Sequence, residues 1–461
     1  MVLSTIAVWP VLASLPVGGL PHPPTHRTHT HTHARTHILR TMSDARSYVA
    51  RCQVVAVEPC IEFVNALSTG AARCSLSERG RPLGDKDVGC VADALRDSKI
   101  TDLDLSTNAI SICGAEDIAA ALRVNATLAR LHVGSNDIRD EGTLYFAAAL
   151  KDNTRLTELD LSANNIGDHG VAGLAEILGT NRTLKVLDLQ RNLIQCQGLV
   201  FLAEPLKVNN VLQVLNLSSN QIADTGACAL GGSIAINSTL TAIDLAGNAV
   251  GDIGGDTLAA GLSQSLSLRE LSLDSNKIGD RSAISFAKLL ASQSQTEGPT
   301  KLAALNLARN AIGVQGCVAL ADSLKYNISL RYLHLQGIPM TRPGALAFAE
   351  TIHSNQSMVQ LDIDLEAANT HGAQAIAEAM RSNTTITELD LGAACPLDAA
   401  AVAEVDNTLR INKFLAGTAA DDGLGEMQPE LPPANAAAVP GISTASLPKD
   451  ASQVRSTVSF L

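Results

Sequence analysis

Aromatic side chains are scarce: seven Phe, four Tyr and one Trp make up 3% of the 461 residues. That excludes a core organised on large rings. Apolar residues still reach 46%, so burial must come from layers of Leu, Ile and Ala. Basic charge is also short, with 34 Lys and Arg against 46 Asp and Glu and a net charge of -12. A phosphate backbone needs a basic surface, so nucleic acid is not an expected partner. No uninterrupted apolar run has the length of a bilayer span, and no membrane role is expected. Residues 2–20 come nearest, but Pro10 and Pro16 break them. No Lys or Arg precedes them, which also argues against a signal peptide. The nine cysteines, from Cys52 to Cys395, lack the spacing of a disulfide framework or a zinc site. They read as reduced thiols of a cytoplasmic protein. There is no GxxxxGK[ST] loop, and no cofactor is expected.

What is present is a repeat. Residues 156–183, LTELDLSANNIGDHGVAGLAEILGTNRT, read as strand, loop, helix and return loop. Leu156, Leu159 and Leu161 occupy positions one, four and six of a strand with one buried face. Leu174 and Leu178 lie four apart on one helical face. The unit recurs every 28 residues from Ile100 to Leu268, then from Leu302 to Ile386 after a six-residue insertion within Ser292 to Thr300. A unit this small cannot close a core alone and must stack on its copies. Position nine is Asn eight times in succession: Asn108, Asn136, Asn164, Asn192, Asn220, Asn248, Asn276 and Asn310. These are expected to form a structural ladder that satisfies backbone groups leaving each strand. Gly142, Gly170, Gly198 and Gly226 mark a special backbone shape or a close approach. Ala119, Ala147, Ala175 and Ala203 let neighbouring helices approach. Strands space at about 4.8 Å and helices at about 8–10 Å. The strands must therefore line the inside of a curve. The expected fold is an α/β solenoid, a horseshoe with a parallel β-sheet on its concave face and helices on its convex face.

The flanks differ. Residues 25–37, THRTHTHTHARTH, have the form of a translated AC dinucleotide tract. Residues 1–42 are expected to be a disordered leader, with 1–41 upstream of a true start at Met42. The histidines from His22 to His37 read as low complexity, not as a metal site. Residues 43–70 are expected to form a helical cap, with Ser43 and Asp44 starting a first helix. Pro59 breaks it, and Ile61, Phe63, Val64 and Leu67 lie on a second. Residues 71–416 form the repeat domain, one degenerate repeat followed by eleven, closing near Phe414 and Leu415. Residues 417–461 are expected to be a disordered tail.

The pattern LxxLDLxxNxIGDxGxxxLAxxLxxN resembles the cytosolic, ribonuclease-inhibitor-like class of leucine-rich repeats, over roughly residues 71–416. That class includes the repeat domains of NOD-like receptors and the Ran GTPase-activating proteins. The resemblance implies a horseshoe fold and a non-enzymatic role in binding another protein. It also leaves three alternatives. One is a GTPase regulator, although Asp421, Asp422, Glu426, Glu430 and Asp450 are sparse beside the acidic tail of the Ran regulators. The others are a NOD-like-receptor-type sensor and a ciliary or flagellar component.

Candidate site residues follow from position. Position five carries Asp104, Asp160, Asp188, Asp244, Asp362 and Asp390, with Asp274 and Asp364 two places further on. Neighbouring strands would align them as an acidic ladder on the concave face. Against that acidity stand Lys185, Val186, Arg191, Val214, Arg269, Arg309, Arg331, Tyr332 and His334, the residue types favoured in protein contacts. Together with Asp160, Asp188 and Asp244 they are the expected partner-binding surface of a monomer. The insertion near Gln293–Thr300 is a second candidate contact. Paired carboxylates without an enclosing pocket do not suggest hydrolysis. The sequons at Asn125, Asn181, Asn237 and Asn383 recur before strands and read as turn chemistry. His132, His169 and His371 sit singly in different repeats and form no ligand pair.

Overall fold

The structure, a computed structural model, describes residues 44–77, 79–293 and 302–421. The leader, Met42, Ser43, the insertion from residue 294 to 301 and the tail beyond 421 lie outside the described residues. Twelve strands form one sheet in strict chain order, and every neighbouring pair is parallel. They are β1 (Arg73–Ser75), β2 (Asp102–Asp104), β3 (Arg130–His132), β4 (Glu158–Asp160), β5 (Val186–Asp188) and β6 (Val214–Asn216). Then follow β7 (Ala242–Asp244), β8 (Glu270–Ser272), β9 (Ala304–Asn306), β10 (Tyr332–Pro339), β11 (Gln360–Asp364) and β12 (Glu388–Asp390). A helix follows each strand, from Asp85–Leu95 after β1 to the final Ala399–Asp421 after β12. Ahead of β1, helix α1 (44–55) and helix α2 (Ile61–Thr69) cover the first repeat. Strand leucines such as Leu159, Leu187 and Leu215 are fully buried between sheet and helices.

Three polar ladders hold the repeats in register. At position nine, Asn220 Nδ2 donates to Leu189 O (3.0 Å) and Leu217 O (3.0 Å), while its Oδ1 accepts from Ile194 N (3.1 Å). Each such Asn joins its own turn to the preceding repeat. The residue before it takes a left-handed backbone, as at Ala163 (φ 50°), Arg191 (φ 53°) and Arg309 (φ 52°). That conformation costs about 1–2 kcal/mol for an L side chain, and the Asn hydrogen bonds offset it. In the Ile-Gly-Asp turn, the Asp carboxylate caps the next helix: Asp280 Oδ1 accepts from Gly313 N (2.7 Å) and Gly316 N (2.8 Å). This explains the position-fifteen glycines, which serve close approach and have ordinary φ. A Cβ on Gly198 would stand 2.5 Å from Asp168 Oδ1.

A third ladder uses the sequon asparagines. Asn181 Nδ2 donates to Leu150 O (3.0 Å) and its Oδ1 accepts from Thr183 N (3.0 Å) and Leu184 N (2.9 Å). Asn125, Asn237 and Asn383 do the same and are buried. The amide nitrogen a sugar would need is therefore engaged in the fold. Gln293, the last described residue before the insertion, supplies the acceptor part of this role, its Oε1 accepting from Leu302 N (3.2 Å).

Three details depart from expectation. Ile61 is 59% exposed, while Tyr48 and Phe63 are buried in edge-to-face contact with ring centroids 4.9 Å apart. The expected boundary at 416 falls inside the last helix, which runs to Asp421. Phe414 (70% exposed) and Leu415 face solvent; Val405 and Asn412 contact the repeats instead, with Asn412 Nδ2 donating to Ile386 O (2.8 Å). All nine cysteines are free. Burial pushes the Cys74, Cys90 and Cys317 thiols up to about 12, so they are inert core residues.

Candidate functional site: the concave sheet face

Side chains at positions three and five of each strand leave the sheet on the face opposite the helices. The strand register sorts them into two rows running across the sheet. Position three reads, from β3 to β10, Arg130, Glu158, Val186, Val214, Ala242, Glu270, Ala304 and Tyr332. Position five reads His132, Asp160, Asp188, Asn216, Asp244, Ser272, Asn306 and His334. The acidic row is thus interrupted, and its members have a local task. Asp160 Oδ1 accepts from Ser162 N (2.8 Å), Asp188 Oδ1 from Gln190 N (2.8 Å) and Asp244 Oδ1 from Ala246 N (2.8 Å). Asn216 and Asn306 make the same bond at 3.0 Å to Ser218 N and Ala308 N. This bond stays within one repeat, and it needs an oxygen but not a charge.

The expected contact residues occupy different places. Val186, Val214 and Tyr332 are half-buried in the position-three row. Lys185, Arg269 and Arg331 are exposed at position two, where the strands begin. Arg191 and Arg309 are exposed past the strand ends, at the left-handed position. Lys185, Arg269 and Arg331 thus precede the strands while Arg191 and Arg309 follow them, at opposite margins of the sheet. His334 requires a correction. It is buried, with Nδ1 2.5 Å from Asp362 Oδ2, because curvature packs the row-five side chains of β10 and β11 together. Arg309 reaches back to Asp274, its Nε 2.9 Å from Oδ1.

The carboxylates on this face differ in how they are met. Towards the first strands, Arg73 and Arg130 pair with Asp102 at 3.2 Å and 3.0 Å. Asp104 is desolvated, yet the Ser106 amide and the Ser77 and Ser75 hydroxyls hold it below the usual carboxylate range. His132 stands 3.8 Å from both Asp160 and Asp102, and its hydrogen bond with Asp160 foremost raises it above the usual histidine range. From the sequence His132 stood out only as a lone histidine without a ligand partner. Its position 28 after Asp104 and 28 before Asp160 was the available signal. In the centre, among the described residues, no cation lies within salt-bridge reach of Asp188, Asp244 or Glu270. Burial, then the Asp160 carboxylate on the adjacent strand, push Asp188 up to about 7. Burial also raises Asp244 and Glu270. Glu158, Ala242 and Glu270 were not singled out from the sequence, because an exposed Glu or a small Ala stands out only once its row neighbours are known.

A family profile described as "Leucine Rich repeat" matches seven segments, residues 124–147, 152–175, 180–203, 208–231, 237–259, 264–287 and 298–321. The chain is a leucine-rich repeat solenoid. No curated protein matches it significantly. Among solved structures, this leucine-rich repeat chain is similar to one in the Rad7–Elc1 complex of yeast. There the TM-score is 0.49 and the identity 15%, covering 82% of this chain and 88% of that one. It is also similar to an internalin from Listeria monocytogenes, with TM-score 0.43 and 15% identity, covering 80% and 94%. Among the described residues, no helix of the solenoid is long and apolar enough to cross a membrane. Nor is any group of three or more His, Cys, Asp or Glu disposed to hold a metal.

Proposed function

We propose that this leucine-rich repeat protein is a non-catalytic scaffold of the ribonuclease-inhibitor-like class, working as a monomer in the cytoplasm and binding a protein partner on its concave face. One observation carries the reading. The concave sheet is uncovered by any described element and presents exposed Lys185, Arg269, Arg331 and Arg191 around half-buried Val186, Val214 and Tyr332. Among the described residues those four cations have no ion pair, so their charge is open to a partner. Rigid curvature holds the side chains in place before binding, which lowers the ordering entropy of association.

The test is affinity capture with mass spectrometry on the full chain, comparing wild type with a variant carrying Lys185→Ala, Arg269→Ala, Arg331→Ala and Tyr332→Ala. Loss of a specific partner from the variant is the expected outcome. Retention of every wild-type partner removes the reading. A GTP hydrolysis assay with small GTPases tests the regulator alternative: acceleration by the chain would replace the scaffold reading.

A further inference from the structure

We infer that the centre of the concave face, strands β4 to β8, is built to take an amphipathic basic helix. This deepens the scaffold reading and rests on it. Its floor is the position-three row, where Val186, Val214 and Ala242 lie side by side on adjacent strands, closed at the two ends by Glu158 and Glu270. Along one side of that floor runs the position-five row with Asp160, Asp188 and Asp244. The site therefore pairs an apolar strip with an acidic rim on one side and at both ends. Lys185 and Arg269 are exposed on the other side, so the occupant's basic residues belong on one flank of its apolar stripe only.

Asp160 is met by His132 and Asp188 accepts from Asn216 Nδ2 at 3.1 Å, but the turn bond that every position-five rim residue makes does not need a charge. That bond requires one side-chain oxygen, and Asn216 and Asn306 supply it without charge. Asp188 and Asp244 make the same bond while carrying carboxylates that burial disfavours and no described cation meets. A charge that costs stability where a neutral oxygen serves the turn is where binding is to be sought. A Lys or Arg brought to this rim would supply the absent countercharge in a partly desolvated setting, where a charge pair is stronger than in water.

The occupant's shape follows from spacing. Strands recur at about 4.8 Å, and a helix laid across them advances about 5.4 Å per turn. Each turn thus meets one strand, and a stripe at i, i+3, i+4 and i+7 covers the apolar floor while Lys or Arg beside it reach the rim. An extended segment repeats its side-chain direction every ~6.7 Å and falls out of step. Four strand spacings, from Glu158 to Glu270, span about 19 Å, the length of about 13 helical residues.

The probe is a fluorescent peptide of about 14 residues, made of Leu and Lys at helical period, read by anisotropy against the full chain. Two controls accompany it: the same composition at period two, and Glu in place of Lys. The helical-period peptide should bind at least about tenfold more tightly than either control. The variant Asp160→Asn, Asp188→Asn, Asp244→Asn should lose at least about tenfold in affinity, while its circular dichroism stays that of wild type. A matched variant with exposed helix acids neutralised, Glu116→Gln, Glu176→Gln, Glu378→Gln, removes equal charge and should change binding less than about twofold. Equal losses in the two variants would reduce the effect to net charge and overturn the inference, as would equal binding of the period-two peptide. A third variant, Val214→Trp, fills the floor. If it abolishes capture of the cellular partner while the triple Asn variant retains both partner and peptide, the basic helix is overturned and concave docking stands. If Val214→Trp retains the partner, the docking reading itself falls.

Discussion

Strands β5 to β8 and strands β9 to β11 belong to one sheet and repeat one motif, yet they treat their charges differently. In the later group, Arg309 meets Asp274, and Asp362 is bonded by His334 and by Gln360 Nε2 at 3.0 Å. In the earlier group Asp188, Asp244 and Glu270 have neutral donors at most, Asp188 accepting from Asn216 Nδ2 at 3.1 Å, and no described cation. The position-nine ladder runs beneath the earlier group and on to Asn310, and ends at Ile338 in the β10 repeat. A repeat scaffold can therefore hold its fold constant while each stretch of its face is set separately, because the face residues are not needed for stacking.

The largest effects should come from the shared ladder and should not distinguish the regions. Asn220→Ala and Asn310→Ala each remove a buried amide. Asn310 donates to Leu273 O (2.8 Å) and Leu307 O (2.9 Å) and accepts from Ile278 N (2.9 Å). Each substitution should cost about 3 kcal/mol or more, and the two should agree within about 1 kcal/mol in urea unfolding. A large inequality would break the claim that the framework is uniform.

Next should come Asp362→Ala, which strips His334 Nδ1 and Gln360 Nε2 of a shared acceptor in a buried place. It should destabilise by about 2–3 kcal/mol. Asp188→Asn should do the reverse in the centre. The folded carboxyl is pushed up to about 7, whereas an unfolded Asp titrates near 4. Below about pH 4 both states are protonated and Asp188 adds no penalty. As pH rises from about 4 to about 7, the unfolded state releases its proton first, and wild type loses stability. The Asn variant escapes that loss. It should be more stable by up to about 4 kcal/mol at pH 8, and the difference should close towards pH 4. Thermal melts at the two pH values decide it; a destabilised Asn variant at pH 8 would remove the contrast between the regions. The smallest effect should be Arg309→Met. Arg309 is mostly solvent-exposed, so its pair with Asp274 should be worth less than about 1 kcal/mol.

Much of this was legible in the chain itself. The strand positions, the eight-Asn ladder and the parallel order of the sheet depend on a 28-residue period, and a period read along the sequence becomes a register across the sheet. The turn role of the sequon asparagines was legible for the same reason. The ladder even foretells where the regularity ends. Position nine is Ile338 in place of Asn, and β10 runs on to Pro339, with its register against β11 shifting between Leu335 and Pro339. Without the amide that turns the chain, the strand continues.

What the tertiary structure alone decided is the state of each side chain on the face. Position five looked like one exposed acidic line. Its members turn out to be paired with histidine, bonded to hydroxyls or left without a cation according to residues in neighbouring repeats. His334 looked like a contact residue and is enclosed beside Asp362; Ile61 looked like cap core and faces water. The physical reason is the same in each case. Hydrogen-bond ladders between repeats are determined by spacing, which the sequence carries directly. Burial and charge balance depend on what the curvature places beside a group, and only the folded arc brings those neighbours together.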